Sequence, residues 1–185
     1  VLGSTGSVGK QTLEIVRRFP DEFEIVGLSA FSNGELLTEQ IEDFNAKYFY
    51  LENGDISPSN GAKKVPSLSE LAKIECDLVV CAVTGLAGLE PSLSALAQGI
   101  DLATANKEAM VCGGKLMWQA ARKSGANILP VDSEHSALWQ CMFGEKKENL
   151  KTMYITASGG ALRDKTKSEI EKVKAKEALY HPVWN

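Results

Sequence analysis

Three glycines, a lysine and a pair of carboxylates carry the chemistry legible in this sequence. Gly3, Gly6 and Gly9 recur at even spacing in Gly3-Ser-Thr-Gly6-Ser-Val-Gly9. Glycine lets a backbone approach phosphate oxygens closely, and a helix opening directly afterwards aims free N–H groups and partial positive charge at them. The loop reads as a cradle for the pyrophosphate of a dinucleotide, with a plain tight turn as the alternative. Farther along, Asp132-Ser133-Glu134 follows a strand-like run. If extended geometry continues there, the two carboxylates point to one side and offer oxygen ligands to a hard divalent ion such as Mg2+ or Mn2+. The competing reading is a helix start, with Asp132 or Ser133 as cap and Glu134 complementing the dipole. Asn106-Lys107-Glu108 sets an amide, an ammonium and a carboxylate in succession after another strand. Its plainer reading is again a cap, Asn106, with Glu108 favouring the helix start.

Other positions discriminate between cofactors. Where a carboxylate would hold the ribose 2′-hydroxyl of NAD, the chain has Ser29-Ala-Phe-Ser32-Asn33. A carboxylate would repel a 2′-phosphate, whereas Ser32 and Asn33 can donate hydrogen bonds to it, so NADP is favoured over NAD. Asn33 also suits a helix cap. Ser158-Gly159-Gly160 reads either as a small anion nest or as an ordinary turn. His135 and His181, taken singly, read as structural histidines.

These residues need a scaffold that brings strand ends together. Val1-Leu2 reads as the end of a strand that begins before the sequence does, and Val8 to Arg18 as a helix stopped by Pro20. Strands are expected at Phe23 to Ser29, Tyr48 to Leu51, Asp77 to Val83, Asp101 to Ala105 and Asn127 to Val131. Helices are expected from Asn33 to about Asn45, and at Ser67 to Lys73, Glu90 to Gln98 and Lys107 to Lys123. The unbroken apolar run Asp-Leu-Val-Val-Cys-Ala-Val signals a strand covered on both faces, hence a parallel sheet. The alternation predicts an α/β fold, a Rossmann-like doubly wound parallel sheet over residues 1–131, with ligands at the carboxyl ends of its strands. From 132 to 185 the pattern changes to the start of an α+β catalytic domain. A helix carries Leu138, Trp139 and Met142, a strand runs from Lys151 to Ala157, and a Lys/Glu-rich helix runs from Lys167 to Ala178.

Composition narrows the field. With 44% apolar and 24% charged residues the chain is expected to fold, and 185 residues suffice for one domain and the start of another. A net charge of -4 argues against a nucleic-acid surface. No apolar run reaches the roughly 18 residues a bilayer span needs. Cys76, Cys81, Cys112 and Cys141 lack metal-type spacing and sit in apolar stretches, so buried thiols in a reducing, intracellular setting are expected.

Taken in order, Gly3-Ser-Thr-Gly-Ser-Val-Gly9, Ala105-Asn-Lys-Glu108, Leu129-Pro-Val-Asp-Ser-Glu-His135, Ala157-Ser-Gly-Gly160 and His181-Pro-Val-Trp184 resemble the 1-deoxy-D-xylulose 5-phosphate reductoisomerase family from end to end. The resemblance implies conversion of 1-deoxy-D-xylulose 5-phosphate to 2-C-methyl-D-erythritol 4-phosphate with NADPH and Mg2+ or Mn2+, with Co2+ as a further option, in non-mevalonate isoprenoid synthesis. It implies that Thr5, Gly6, Ser7 and Val8 hold the pyrophosphate, that Ser32 and Asn33 face the 2′-phosphate, and that Asn106 and Glu108 touch the cofactor. Lys107, Ser133, Glu134, Ser158 and His181 would bind the sugar phosphate, Asp132 and Glu134 the metal, and Trp184 would belong to a mobile flap. Lys107 and Glu134 would be catalytic. The family pattern differs at Phe31-Ser32, Ala157 and Val183. A homodimer in the bacterial cytoplasm, or in a plastid for a plant or algal source, follows from the same resemblance. So does truncation at both ends, which would leave this stretch inactive alone. Two rivals remain: a semialdehyde-type NADP dehydrogenase, which needs a cysteine nucleophile beside a histidine base, and a catalytically silent NADP-sensing module.

Overall fold

The computed structural model describes residues 1–157 and 159–180. Its strands are short and parallel, and the central ones are mostly apolar, as a sheet covered on both faces requires. Gly27–Ala30 (β1) pairs with Tyr48–Leu51 (β2), and β2 with the two-residue Lys63–Lys64 (β3). Leu78–Cys81 (β4) pairs with Asp101–Thr104 (β5), and β5 with Ile128–Pro130 (β6). The N-terminal residues join these two sets. Leu2 N–H donates to Val80 O at 2.8 Å and Ala82 N–H to Leu2 O at 2.9 Å, while on the other side Ser29 N–H donates to Val1 O at 3.2 Å. The spatial order is therefore β3-β2-β1, the N-terminal segment, then β4-β5-β6. The order of connection reverses at the N-terminal segment, and in such a sheet the crevice at that reversal is where ligands bind.

The helices are Ser7–Arg18 (α1), Gly34–Asp43 (α2), Leu68–Ala72 (α3), Leu89–Ala97 (α4), Lys107–Ser124 (α5) and Ser133–Met142 (α6). Local chemistry explains their ends. Asn33, Ser67 and Asn106 each accept a hydrogen bond from a first-turn N–H, which contributes about 1 kcal/mol per cap, and Gly125 closes α5 in the left-handed region. One core gathers Leu2, Val79, Leu96, Leu102 and Met117, and a second gathers Leu13, Leu28, Leu37, Ile41 and Phe49. Full burial of such side chains stabilises by roughly 1.5–3 kcal/mol each.

The chain divides into two compact units, Val1–Ser136 and Ala137–Asn185. The division falls inside α6, whereas the change of pattern that suggested 131/132 marks the end of the sheet. In the second unit no described side chain is buried. Trp139 and Phe143 make a tilted ring pair at 5.6 Å, and short helices lie at Lys167–Ile170 (α7) and Ala175–Ala178 (α8). Among the described residues no helix is long and apolar enough to cross a membrane.

Several expectations are corrected. The strand predicted at Phe23 to Ser29 is instead Gly27–Ala30, because Glu22 and Phe23 turn their N–H groups back to Phe19 O at the end of α1. The run Lys151 to Ala157 forms no strand: alternation becomes a strand only against a partner edge, and Met153, Tyr154 and Ile155 are exposed. The helix predicted over Lys167 to Ala178 is two short ones, each with its own N-terminal clasp. Glu169 accepts from Thr166 N–H at 2.7 Å, and Glu177 from Lys174 N–H at 3.3 Å. Cys112 and Cys141 are exposed, not buried. Ala109, Gly113, Met117 and Ala121, four residues apart, take the inward face of α5 and leave Cys112 outward. The 3₁₀ turn Gly85–Gly88 and β3 carry no apolar pattern by which to foresee them.

Candidate functional site

The three glycines of the N-terminal loop do different work. Gly3 has φ +79°, and a Cβ there would lie 2.9 Å from Ala82 O. A Cβ on Gly9 would come within 2.3 Å of Gly3 O and 2.6 Å of Ser4 Cα. Both are required by the turn from sheet to helix. Gly6 is different: a Cβ there meets only Gly3 O, at 3.4 Å. The fold leaves Gly6 open, so its bare backbone is available for a ligand. Gly6 also stands directly before α1, whose first turn carries no acidic residue and no side-chain cap. The N–H groups of Ser7, Val8 and Gly9 thus point outward at the positive end of the helix.

Ser4 anchors this loop from below. It is fully buried; its N–H donates to Ser29 O at 2.8 Å, and its hydroxyl donates to Gln40 Oε1 at 2.6 Å with Ser29 O within 3.2 Å. Gln40 Nε2 donates back to Ser4 O at 3.1 Å, and Gly3 N–H donates to Ser29 Oγ at 3.0 Å. Sequence reading missed Ser4, Ser29 and Gln40. The signal available was a glutamine in the buried stripe of α2, beside Leu37 and Ile41, where a polar side chain must find a partner.

At the end of β1, Ser32 is exposed and Asn33 caps α2 by accepting from Leu36 N–H at 3.1 Å. Among the described residues Asn33 Nδ2 makes no hydrogen bond, so the cap leaves a donor at this corner.

Asn106 is buried, and its amide is committed to the protein. Nδ2 donates to Val83 O and to Gly85 O, both at 2.7 Å, while Oδ1 accepts from Ala109 N–H at 2.8 Å. It ties the loop after β4 to the start of α5. Gly88 is part of the same fit, since a Cβ there would lie 2.3 Å from Asn106 Nδ2. Glu108 is exposed on the first turn of α5.

Lys107 opens α5 and reaches the end of β6. Its Nζ lies 2.9 Å from Asp132 Oδ2 and 3.6 Å from Glu134 Oε2. His135 Nδ1 pairs with Asp132 Oδ1 at 2.9 Å, and Ser133 Oγ donates to Glu134 Oε2 at 3.2 Å. The Asp132 side chain is 12% exposed and that of Lys107 51%. Burial pushes the Asp132 carboxyl up, but the bonds it makes with Lys107 and His135 outweigh it and hold the group well below the usual carboxylate range. The Lys107 ammonium is pushed up, chiefly by its bond to Asp132.

Asp132 and Glu134 therefore share a side, but strand alternation is not the cause: β6 ends at Pro130 and α6 begins at Ser133. The turn into the helix and the Lys107 ammonium draw the carboxylates together. Two carboxylates already arranged around one cation form a donor set of the type a hard divalent ion takes, and they fit as part of its shell. Among the described residues no group of three or more His, Cys, Asp or Glu side chains gathers in this way. Ser158, His181 and Trp184 lie outside the described residues. Gly159 and Gly160 next to Ser158 both have positive φ.

A semialdehyde dehydrogenase needs an activated thiol, which neither Cys76 nor Cys81 provides. Burial pushes the Cys81 and Cys76 thiols up, the opposite of an activated nucleophile.

Comparison with known proteins points to one family. A family model described as 1-deoxy-D-xylulose 5-phosphate reductoisomerase matches residues 1–114, and one described as the C-terminal domain of that enzyme matches residues 128–185. The reductoisomerase of Thermoanaerobacter sp. (strain X514) is 44% identical over all of this chain and 50% of its own length. Among solved structures, the Zymomonas mobilis reductoisomerase in complex with NADPH superimposes with a TM-score of 0.83 at 34% identity, covering 98% of this chain and 50% of that one. A DOX-P reductoisomerase in complex with NADPH, fosmidomycin and magnesium gives 0.81 at 33% identity, covering 100% and 50%. The chain spans about half the length of the curated relatives it matches.

Proposed function

The chain belongs to the 1-deoxy-D-xylulose 5-phosphate reductoisomerase family, and on that premise we propose that it supplies the cofactor-binding half and part of the metal and substrate site of an NADPH- and divalent-metal-dependent reductoisomerase. The reaction is the rearrangement and reduction of 1-deoxy-D-xylulose 5-phosphate to 2-C-methyl-D-erythritol 4-phosphate, in non-mevalonate isoprenoid synthesis. A homodimer and a cytoplasmic location belong to the same reading and rest on family membership.

When bound, NADPH supplies hydride, and Mg2+ or Mn2+ supplies a Lewis acid and a template for substrate oxygens. The residues of this chain prepare that chemistry. Thr5, Gly6, Ser7 and Val8 receive the pyrophosphate, Ser7 and Val8 with the free N–H groups that open α1. Ser32 and the unused donor of Asn33 receive the 2′-phosphate. Asn106 shapes the crevice by holding the loop after β4, with Glu108 at its rim. Asp132 and Glu134 hold the metal. Lys107, released from its carboxylate partners, neutralises negative charge on a substrate oxygen while keeping its own proton at Nζ. Ser133 and Glu134 orient the substrate, a role that family membership extends to Ser158 and His181.

The observation that carries this reading is the Lys107–Asp132–Glu134 cluster at a carboxyl strand end of the sheet whose reversal point holds the glycine loop. The full-length protein should oxidise NADPH with 1-deoxy-D-xylulose 5-phosphate only when Mg2+ or Mn2+ is present. Asp132→Asn should abolish that turnover while NADPH binding survives. NADPH binding without metal-dependent turnover in the full-length protein would instead favour a silent sensing module.

A further inference from the structure

We propose that Gln40 is a positioning residue that links the pyrophosphate loop to the 2′-phosphate corner, and so sets the preference for NADPH over NADH without touching either. This rests on the reading of the glycine loop and the Ser32-Asn33 corner as a single NADPH site.

The link is physical. Gln40 lies about two turns along α2 from Asn33, on the same face. Leu37 and Ile41, which flank it, are fully buried, so core packing fixes where α2 sits. From that fixed place the Gln40 amide grips Ser4 twice, taking its hydroxyl proton and donating to its carbonyl. Ser4 lies between Gly3 and the N–H groups that open α1. The helix that presents Asn33 therefore also sets the height and tilt of the loop. Without the amide, Ser4 can keep its hydroxyl bond to Ser29 O, but its carbonyl loses the Nε2 donor and the loop is free to shift against α2. A ligand that must touch both places loses more from such a shift than one that touches the loop alone. NADPH is the first kind and NADH the second.

The test uses the full-length protein and compares Gln40→Met, which keeps volume and loses both bonds, with Gln40→Glu, which keeps only the acceptor, and with Ser4→Ala. Dissociation constants for NADPH and NADH are read by nucleotide fluorescence, with thermal midpoints measured alongside. Gln40→Met should weaken NADPH about tenfold, equivalent to the loss of one buried hydrogen bond, and NADH by less, so that the preference falls. Gln40→Glu should fall between it and wild type. Ser4→Ala should shift the preference in the same direction, and should be non-additive with Gln40→Met; it also serves if Gln40→Met does not fold. A lower thermal midpoint with an unchanged NADPH/NADH ratio overturns the inference alone. A wild-type protein that does not bind NADPH overturns both the inference and the reading beneath it.

Discussion

The Lys107 ammonium lies 2.9 Å from the Asp132 carboxylate, joining the first residue of α5 to the residue just before α6. This pair brings an acid from one strand end and a base from another into one site.

Lys107→Met should lower turnover of the full-length protein by a hundredfold or more, on the order of what removing one charge-stabilising group costs an enzyme. NADPH affinity should stay within about twofold, because the glycine loop is untouched. Steady-state kinetics and nucleotide titration check this. Equal losses in both would mean that the lysine serves folding and not chemistry.

Acid should erode the contribution of Asp132. Its carboxyl is held below its unfolded value, so its stabilising effect is fully present above about pH 4 and is lost as the pH falls toward the folded value. Denaturant unfolding of wild type and Asp132→Asn should show a gap at pH 7 that narrows by pH 3. A gap independent of pH would contradict the ion-pair account.

Gly6 and Gly9 should separate sharply on substitution. Gly9→Ala forces a Cβ against Gly3 O and Ser4 Cα, and should destabilise by about 1–3 kcal/mol or prevent folding. Gly6→Ala should leave the melting midpoint nearly unchanged yet weaken NADPH binding. Unaltered binding in Gly6→Ala would remove that glycine from the ligand surface.

Asn106→Asp keeps the cap acceptor but removes the donors to Val83 O and Gly85 O. Leaving these carbonyls without their partner should cost about 1–3 kcal/mol. The loss should appear in calorimetry and as faster amide exchange in the 3₁₀ turn Gly85–Gly88. Wild-type exchange rates there would show that the turn holds itself.

The sequence by itself determined what is local. Helix caps at Asn33, Ser67 and Asn106, the glycine turn into α1, and the apolar runs of β2, β4 and β5 follow from side chains acting on backbone a few residues away. The parallel, doubly wound sheet followed from the alternation of those elements. Tertiary structure decided the rest, because the partners are distant in the chain and no periodicity records them. Ser4 meets Gln40 across 36 residues, and Asn106 meets Val83 across 23. The Asp132 and Glu134 carboxylates converge through a helix turn and a lysine from another element, although the strand alternation that suggested the pair had already ended at Pro130. The alternating run Lys151 to Ala157 makes the same point in reverse. Its pattern is that of a strand, but hydrogen bonds to a neighbouring edge make a strand, and none forms among the described residues.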